Sequence, residues 1–158
     1  MNGQNSEIIK LLDVIGLTIL RELQKDARQT LSVLSRKVGM SLPAVSERVR
    51  RMEDAGIIRA YRAELDLAAL GYSMTVFIRM KSAPDRYTRF TAAIDSFPEI
   101  LECHHVSGED SFVLKLVVPG IPQLEAIIGK LSAFGQTSSS IVLSTLPHRG
   151  RSELKPVL

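Results

Sequence analysis

Residues 39–63 read "GMSLPAVSERVRRMEDAGIIRAYRA". The stretch opens with a glycine, then places Ser41 and Pro43 where a helix would start: a capping hydroxyl, followed by a proline in the first turn, where its missing N–H is not needed. Val45, Val49 and Met52 recur at helical spacing and form one apolar face. Gly56 is suited to the left-handed conformation that ends a helix. "IIRAYRA" then reads as a short strand. On a wheel at about 100° per residue, Ser46, Glu47, Arg50, Arg51 and Asp54 point away from the valine face, with Arg48 at its edge.

Working toward the N-terminus, "TLSVLSRKV" is a second helix, capped by Thr30, with Leu31, Leu34 and Val38 on one face. "LDVIGLTILRELQKDAR" is a third, with Ile15, Ile19 and Leu23 four apart and Asp13 as its cap. Three short helices, the last two joined by a tight turn around Gly39, and then a strand: this is the pattern of a winged helix-turn-helix. Toward the C-terminus the period changes. "SMTVFIRMK", "ILECHHVS", "SFVLKLVV" and "SSSIVLSTL" read as strands. "DRYTRFTAAIDSF" and "PQLEAIIGKLSAF" read as helices, and "GED" as a hairpin connection. The order βαββαβ is that of a ferredoxin-like α+β domain. The expected organisation is a winged helix-turn-helix over residues 1–64, a linker over 65–72, a βαββαβ domain over 73–146 and a tail, "PHRGRSELKPVL", over 147–158.

Charge separates the two halves. Of 158 residues, the first 64 hold 11 Lys and Arg against 8 Asp and Glu, whereas the remainder holds 9 of each. Between Arg28 and Arg62 there are 8 basic and 3 acidic residues, as expected if that segment alone meets a polyanion. In a helix-turn-helix the second helix enters the DNA major groove by its N-terminal part, which here is Ser41, Leu42, Pro43, Ala44, Ser46 and Glu47. Arg48, Arg50 and Arg51 reach phosphates or guanine edges, both of which suit the two parallel donors of a guanidinium. Arg36, Lys37, Arg59 and Arg62 add contacts to the DNA backbone. The competing reading is a solvated helix face on which Glu47 pairs with Arg50 or Arg51, and Arg50 with Asp54.

Other classes find less in the sequence. "MNGQNSEIIK" lacks a cationic run before an apolar one, no apolar stretch nears the roughly 18 residues of a membrane span, and one cysteine cannot form an internal disulfide; a cytoplasmic protein is expected, with no membrane partner. "ECHHVSGED" gathers Cys103, His104, His105, Glu109 and Asp110. On a strand, however, adjacent histidines point to opposite faces, so no metal site, cofactor or catalytic residue is expected. A sheet that stacks RNA bases needs exposed aromatics, and only Phe112 is placed for that.

The order of these segments resembles the Lrp/AsnC (leucine-responsive regulatory protein) family of transcription regulators. The resemblance is carried by "LDVIGLTILRELQKDAR", "LSRKVGMSLPAVSERVRRMEDAGIIRAY", "LGY", "HHVSGEDSFVLKLVV" and "TSSSIVLS", over residues 11 to 146. It implies a sequence-specific DNA-binding regulator with a C-terminal domain that resembles amino-acid-binding modules. Such proteins dimerise through the sheet domain, assemble to tetramers or octamers, and bind an amino-acid effector between dimers. It also implies an effector site at Gly108, Asp110 and Ser111, with Thr137, Ser138 and Ser139. Two departures stand out. An acidic residue is usual where Gly16 stands, a loss expected to cost a little helix stability and no function. Ser111 stands where the family loop usually has its second acid, so either Asp110 or Glu109 holds an effector's ammonium or the effector differs from leucine. Lrp-like folds also occur in haem-pathway decarboxylases; His104 and His105 keep that alternative open, and the basic helix weighs against it.

Overall fold

Asp13, Thr30 and Ser41 each end an extended stretch with a short oxygen-bearing side chain, and each starts a helix. The Gly16 N–H donates to Asp13 Oδ1 at 2.8 Å, the Val33 N–H to Thr30 Oγ1 at 3.2 Å and the Ala44 N–H to Ser41 Oγ at 3.4 Å. These bonds satisfy backbone donors that the first helical turn leaves free. The computed structural model describes residues 2–146, with side chains from Glu7 onward; the 147–158 tail lies outside the described residues. Contacts divide the chain into two compact units between Glu64 and Leu65. The "ELDLAALGY" stretch that spans this boundary forms a turn over residues 67–71, neither helix nor strand.

The first unit contains four helices among its described residues: α1 (Asn2–Leu11), α2 (Val14–Lys25), α3 (Leu31–Val38) and α4 (Leu42–Asp54). The first of these was not expected from the sequence. Gly39 turns the chain between α3 and α4 at φ +68°, a conformation that side chains disfavour. Leu11, Ile19, Leu34, Val45, Val49 and Met52 form the core; burying each large side chain stabilises the unit by about 1.5–3 kcal/mol. The strand expected at "IIRAYRA" does not form. The Ile57 and Ile58 N–H groups both bond back to the Met52 carbonyl at 2.9 and 3.1 Å, and the two side chains pack on the helical core. Strand propensity needs a neighbouring strand to complete a ladder, and this unit offers none among its described residues. The segment in the wing's place is therefore irregular, held at Tyr61, whose hydroxyl donates to Glu53 Oε1 at 2.8 Å. Partial burial of the phenol, with that bond, pushes its pKa up to about 12.

Glu22 ties α2 to α3. It accepts from Lys25 at 2.8 Å and from Lys37 at 2.5 Å, and those bonds hold its carboxyl down to about 2 against an ordinary 4.5. A depressed carboxyl contributes stability that is complete above the unfolded value and is lost as pH falls through the folded one. Glu22→Gln should therefore lower the melting temperature at neutral pH by roughly 2 °C, a small effect because both lysines lie at the surface, 72% and 45% exposed. The difference from the parent protein should shrink between pH 4.5 and about 2. Thermal melts across that range check it; a constant offset would mean that the cross-tie contributes nothing.

The second unit runs β1 (Met74–Lys81), α5 (Pro84–Ala93) with a 3-10 turn (Ile94–Ser96), β2 (Ile100–His105), β3 (Phe112–Val118), α6 (Ile121–Leu131) and β4 (Gln136–Ile141). All neighbours in the sheet are antiparallel, in the order β2-β3-β1-β4. Alternation decides the faces. Val76, Ile78 and Met80 of β1 turn with Phe112, Leu114 and Leu116 of β3 toward the helices, where Phe90 of α5 and Leu124, Ile127 and Leu131 of α6 close the core. Phe77, Arg79 and Lys81 take the other face of β1, where all three are exposed. Phe112 is 3% exposed, so the one aromatic weighed for base stacking lies in the core.

Candidate nucleic-acid interface and effector site

The outward face of α4 carries the charges that the wheel assigned to it, and each arginine has an acidic neighbour. Arg50 donates to both carboxylate oxygens of Glu47, at 3.0 and 2.6 Å, and to Asp54 at 2.7 Å. The contact with Glu47, followed by charge attraction to Glu47 and Asp54, raises the Arg50 pKa; the same bond holds the Glu47 carboxyl below its usual range. The ion-paired helix face weighed against DNA contact is thus present in the free protein. It competes only weakly with a DNA role, because exposed pairs contribute little and phosphates can take the place of the carboxylates.

Arg51 and Arg48 find partners outside α4. Arg51 donates through Nε and Nη2 to Glu7 of α1, at 3.2 and 2.7 Å. Arg48 turns inward, pairing with the Asp13 carboxylate and donating to the Lys10 carbonyl at 3.2 Å. The Arg48 side chain is 19% exposed, so it braces the α1–α2 junction from the edge of the buried face, where the wheel set it. Asp13 in turn is held below its ordinary pKa, chiefly by the Gly16 N–H and then by Arg48. Ser41, Leu42, Pro43, Ser46 and Glu47 at the front of α4, Arg36 and Lys37 on α3, and Arg59 beyond α4 are all exposed. Lys37 is shared between Glu22 and Gln29. Glu7, Glu47, Arg50, Arg51 and Asp54 line a cleft of about 470 Å³ between α1 and α4.

Gly16 is more than a missing acid. A side chain there would overlap the Leu11 carbonyl oxygen and stand 2.9 Å from Met52 Cε. The glycine therefore lets the end of α1 lie against α2, a packing role that the resemblance did not suggest.

In the second unit, Gly108 has φ +118° in the β2–β3 loop, which the Val106 N–H closes onto the Ser111 carbonyl at 3.0 Å. Ser111 is 6% exposed. Its hydroxyl accepts from the Ser82 N–H at 3.1 Å and from Tyr87 Oη at 2.9 Å, and donates to the Ser82 carbonyl at 3.0 Å. One donor and two lone pairs are all that a hydroxyl has, so in this structure the Ser111 hydroxyl is fully occupied in anchoring the loop to Ser82 and Tyr87. The three β4 residues also separate. Ser138 pairs with Arg79 and shares the open face, whereas Thr137 and Ser139 pair with Met80 and Ile78, whose side chains are buried. Alternation turns the Thr137 and Ser139 side chains away from the Ser138 face, although Thr137 still borders the space beside Ser138.

What the fold does bring together is a concavity of about 190 Å³ lined by Arg79, Lys81, Asp110, Gln136, Thr137 and Ser138. Asp110 Oδ2 lies 4.0 Å from Arg79 Nε. The sequence reading named Asp110, Thr137 and Ser138 and missed Arg79, Lys81 and Gln136. Alternation in "SMTVFIRMK" set the two cations on the open face, but their neighbours depend on strand register. Gly108 and Ser139 do not line it.

The histidine pair splits across its strand as alternation requires. His104 Nε2 lies 3.3 Å from Glu102 Oε2, which together with Lys115 occupies the open face. His105 meets Tyr87 edge-on and Phe112 at a tilt on the other. No group of three metal-ligating side chains occurs among the described residues, and no helix among them is long and apolar enough to cross a membrane.

Comparison with known proteins agrees with both halves of this description. A family model described as winged helix-turn-helix DNA-binding matches residues 12–59, and one described as the Lrp/AsnC ligand binding domain matches residues 74–151. The leucine-responsive regulatory protein of Salmonella typhimurium is 37% identical over 153 residues, covering 92% of this chain and 93% of its own length. The HTH-type transcriptional regulator LrpC of Bacillus subtilis is 34% identical over 135 residues, 85% of this chain and 94% of its own. Its solved structure superposes with a TM-score of 0.83 over 87% of this chain and 99% of LrpC. A feast or famine regulatory protein from M. tuberculosis, solved in complex with L-methionine, is 31% identical with a TM-score of 0.83, over 90% of this chain and 99% of that one. The relatives are transcription regulators, and the decarboxylase alternative finds no support among them. With a helix-turn-helix in its first unit and a βαββαβ sheet in its second, the chain belongs to the Lrp/AsnC family of transcription regulators.

Proposed function

We propose that α4 is the recognition helix and that the concavity at Asp110 is the effector site through which an amino acid modulates DNA binding. The first part rests on one observation: Ser41, Leu42, Pro43, Ser46, Glu47 and Arg50 form a continuous exposed surface on the helix that follows the Gly39 turn. Leu42 is 47% exposed, a placement that folding does not explain and that contact with a thymine methyl would. Arg36, Lys37, Arg59 and Arg51 flank that surface and meet phosphates, while Arg48 supports the helix from behind. The L-methionine held by the M. tuberculosis relative supports an amino acid as effector. Asp110 supplies the carboxylate for its ammonium.

Self-association completes the reading. Leu143 and Leu146 are 95% and 85% exposed and Phe77 is 41% exposed on the uncovered sheet face, apolar surface that pairing of two sheet domains would bury. A C2 dimer presents two α4 helices to half-sites about one helical turn apart, or multiples of it. Tetramers or octamers then place effector sites between dimers in a cytoplasmic assembly. Residues 65–72 serve as the linker between the DNA-binding and sheet domains.

The test is fluorescence anisotropy of the full chain on the DNA upstream of its own gene, against a scrambled duplex, through a salt series, with and without a pool of amino acids. The proposal expects specific, salt-steep binding that the pool shifts. Equal binding to both duplexes would remove the recognition role. Specific binding that the pool leaves unchanged would remove the effector role alone.

A further inference from the structure

We infer that the effector is an acidic amino acid, a ligand with one ammonium and two carboxylates; this rests on the reading of the Asp110 concavity as the effector site. The β1–β4 register sets Arg79 opposite Ser138 and Lys81 opposite Gln136. Four polar side chains therefore stand in two adjacent rows on one face, within reach of one small molecule. Asp110 enters from the β2–β3 loop and completes the rim. At about 190 Å³ the space is smaller than sites that hold drug-sized ligands and suits a single small metabolite.

Charge decides the class. The lining holds two cations and one carboxylate. The Arg79–Asp110 pair spans 4.0 Å, with side chains 56% and 38% exposed, so it satisfies neither partner fully. Lys81 makes no ion pair among the described residues. The site therefore carries one uncompensated positive charge, which a zwitterionic neutral amino acid leaves uncompensated and a net −1 ligand cancels. Apolar contact points the same way. Every lining residue is charged or polar, so a branched or thioether side chain would meet no apolar side chain and gain little by entering.

The groups match one to one. Asp110 receives the ammonium. The Arg79 fork, beside the Ser138 hydroxyl, receives the α-carboxylate in the two-donor geometry that carboxylates favour. Lys81 and the Gln136 amide receive the side-chain carboxylate. Ser111 has no part in this, because its hydroxyl is already saturated by Ser82 and Tyr87. The negative charge that the family loop places at that position stands instead at Asp110, on the open face.

The experiment is calorimetric titration of the full chain with L-glutamate, L-aspartate, L-leucine and L-methionine at low ionic strength, repeated at high salt. Either acidic amino acid is expected to bind at least about tenfold tighter than both neutral ones and to weaken more with salt. Lys81→Gln is expected to weaken acidic binding by roughly tenfold, the loss of one charge-assisted contact, and to leave neutral binding unchanged. Both Lys81 and Arg79 lie on an open sheet face, and thermal melts establish that the variants fold. Tighter binding of a neutral amino acid, abolished by Asp110→Asn, would overturn the acidic class and leave the effector site standing. Acidic binding indifferent to Lys81→Gln and Arg79→Gln would overturn the assignment of this concavity. No binding of any of the four would overturn the acidic class, and the effector reading would then stand or fall on whether the amino-acid pool shifts DNA binding.

Discussion

Replacing Arg50 and Arg51 together with alanine is expected to weaken operator binding by roughly 100-fold, taking each contact at about 1–3 kcal/mol. The slope of log affinity against log salt should flatten by about 1.8 if both meet phosphates, at about 0.9 for each. Neither side chain is needed for the fold. Arg50 is 60% exposed and Arg51 42%, and their partners Glu47, Asp54 and Glu7 are themselves at the surface. The melting temperature and oligomeric state should therefore hold while binding falls, which separates this prediction from simple unfolding. Glu7→Gln should act in the opposite direction. It releases Arg51 from the α1 carboxylate, so a phosphate no longer displaces an internal partner, and affinity should rise a few-fold at low salt. Anisotropy with all three proteins checks both signs. Unchanged binding by an intact double variant would mean that α4 does not lie in the groove.

A second large effect is expected at Gly16. In Gly16→Ala the new methyl overlaps the Leu11 carbonyl, a backbone atom that cannot rotate away as a side chain could. Either the crowding is absorbed in the helical core, at about 1–3 kcal/mol, or the end of α1 lifts and Leu11, 2% exposed, leaves the core at a similar cost. For a unit of this size the melting temperature should fall by roughly 10 °C. The transition of the sheet unit should stay where it is. The two routes differ at Arg51. If α1 lifts, Glu7 leaves with it, amides over residues 8–11 lose exchange protection, and DNA affinity rises even as stability falls. If crowding is absorbed, Arg51 keeps its partner and affinity is unchanged. A melting temperature equal to the parent's would show that α1 does not pack against Gly16.

The parts of this protein that the sequence determined by itself are those governed by neighbours three or four positions apart. The caps at Asp13, Thr30 and Ser41, the valine stripe of α4 and the Gly39 turn depend on bonds and faces within one helix, so their signals are written contiguously. The βαββαβ order is legible for the same reason, since a change of period from 3.6 to 2 is a local property. Helix α1 was not legible. "NGQNSEIIKL" lacks a strong apolar stripe, and its burial depends on a bare Cα at Gly16 rather than on any pattern of its own. "IIRAYRA" misled in the other direction, having strand-forming residues and, among the described residues of its unit, no strand beside it.

Tertiary structure decided the sites. Arg51 meets Glu7, 44 positions away, and Arg48 turns to Asp13; a helical wheel shows which way an arginine points but not what waits there. In the sheet, alternation put Arg79 and Lys81 on one face, yet only the register of β1 against β4 brings them to Ser138 and Gln136. The hydroxyl of Ser111 was spent on Ser82 and Tyr87, 29 and 24 residues before it. A chain records the direction of each side chain through its local period, but which strands and helices become neighbours is settled by burial of the whole apolar surface, and binding sites are made of such neighbours.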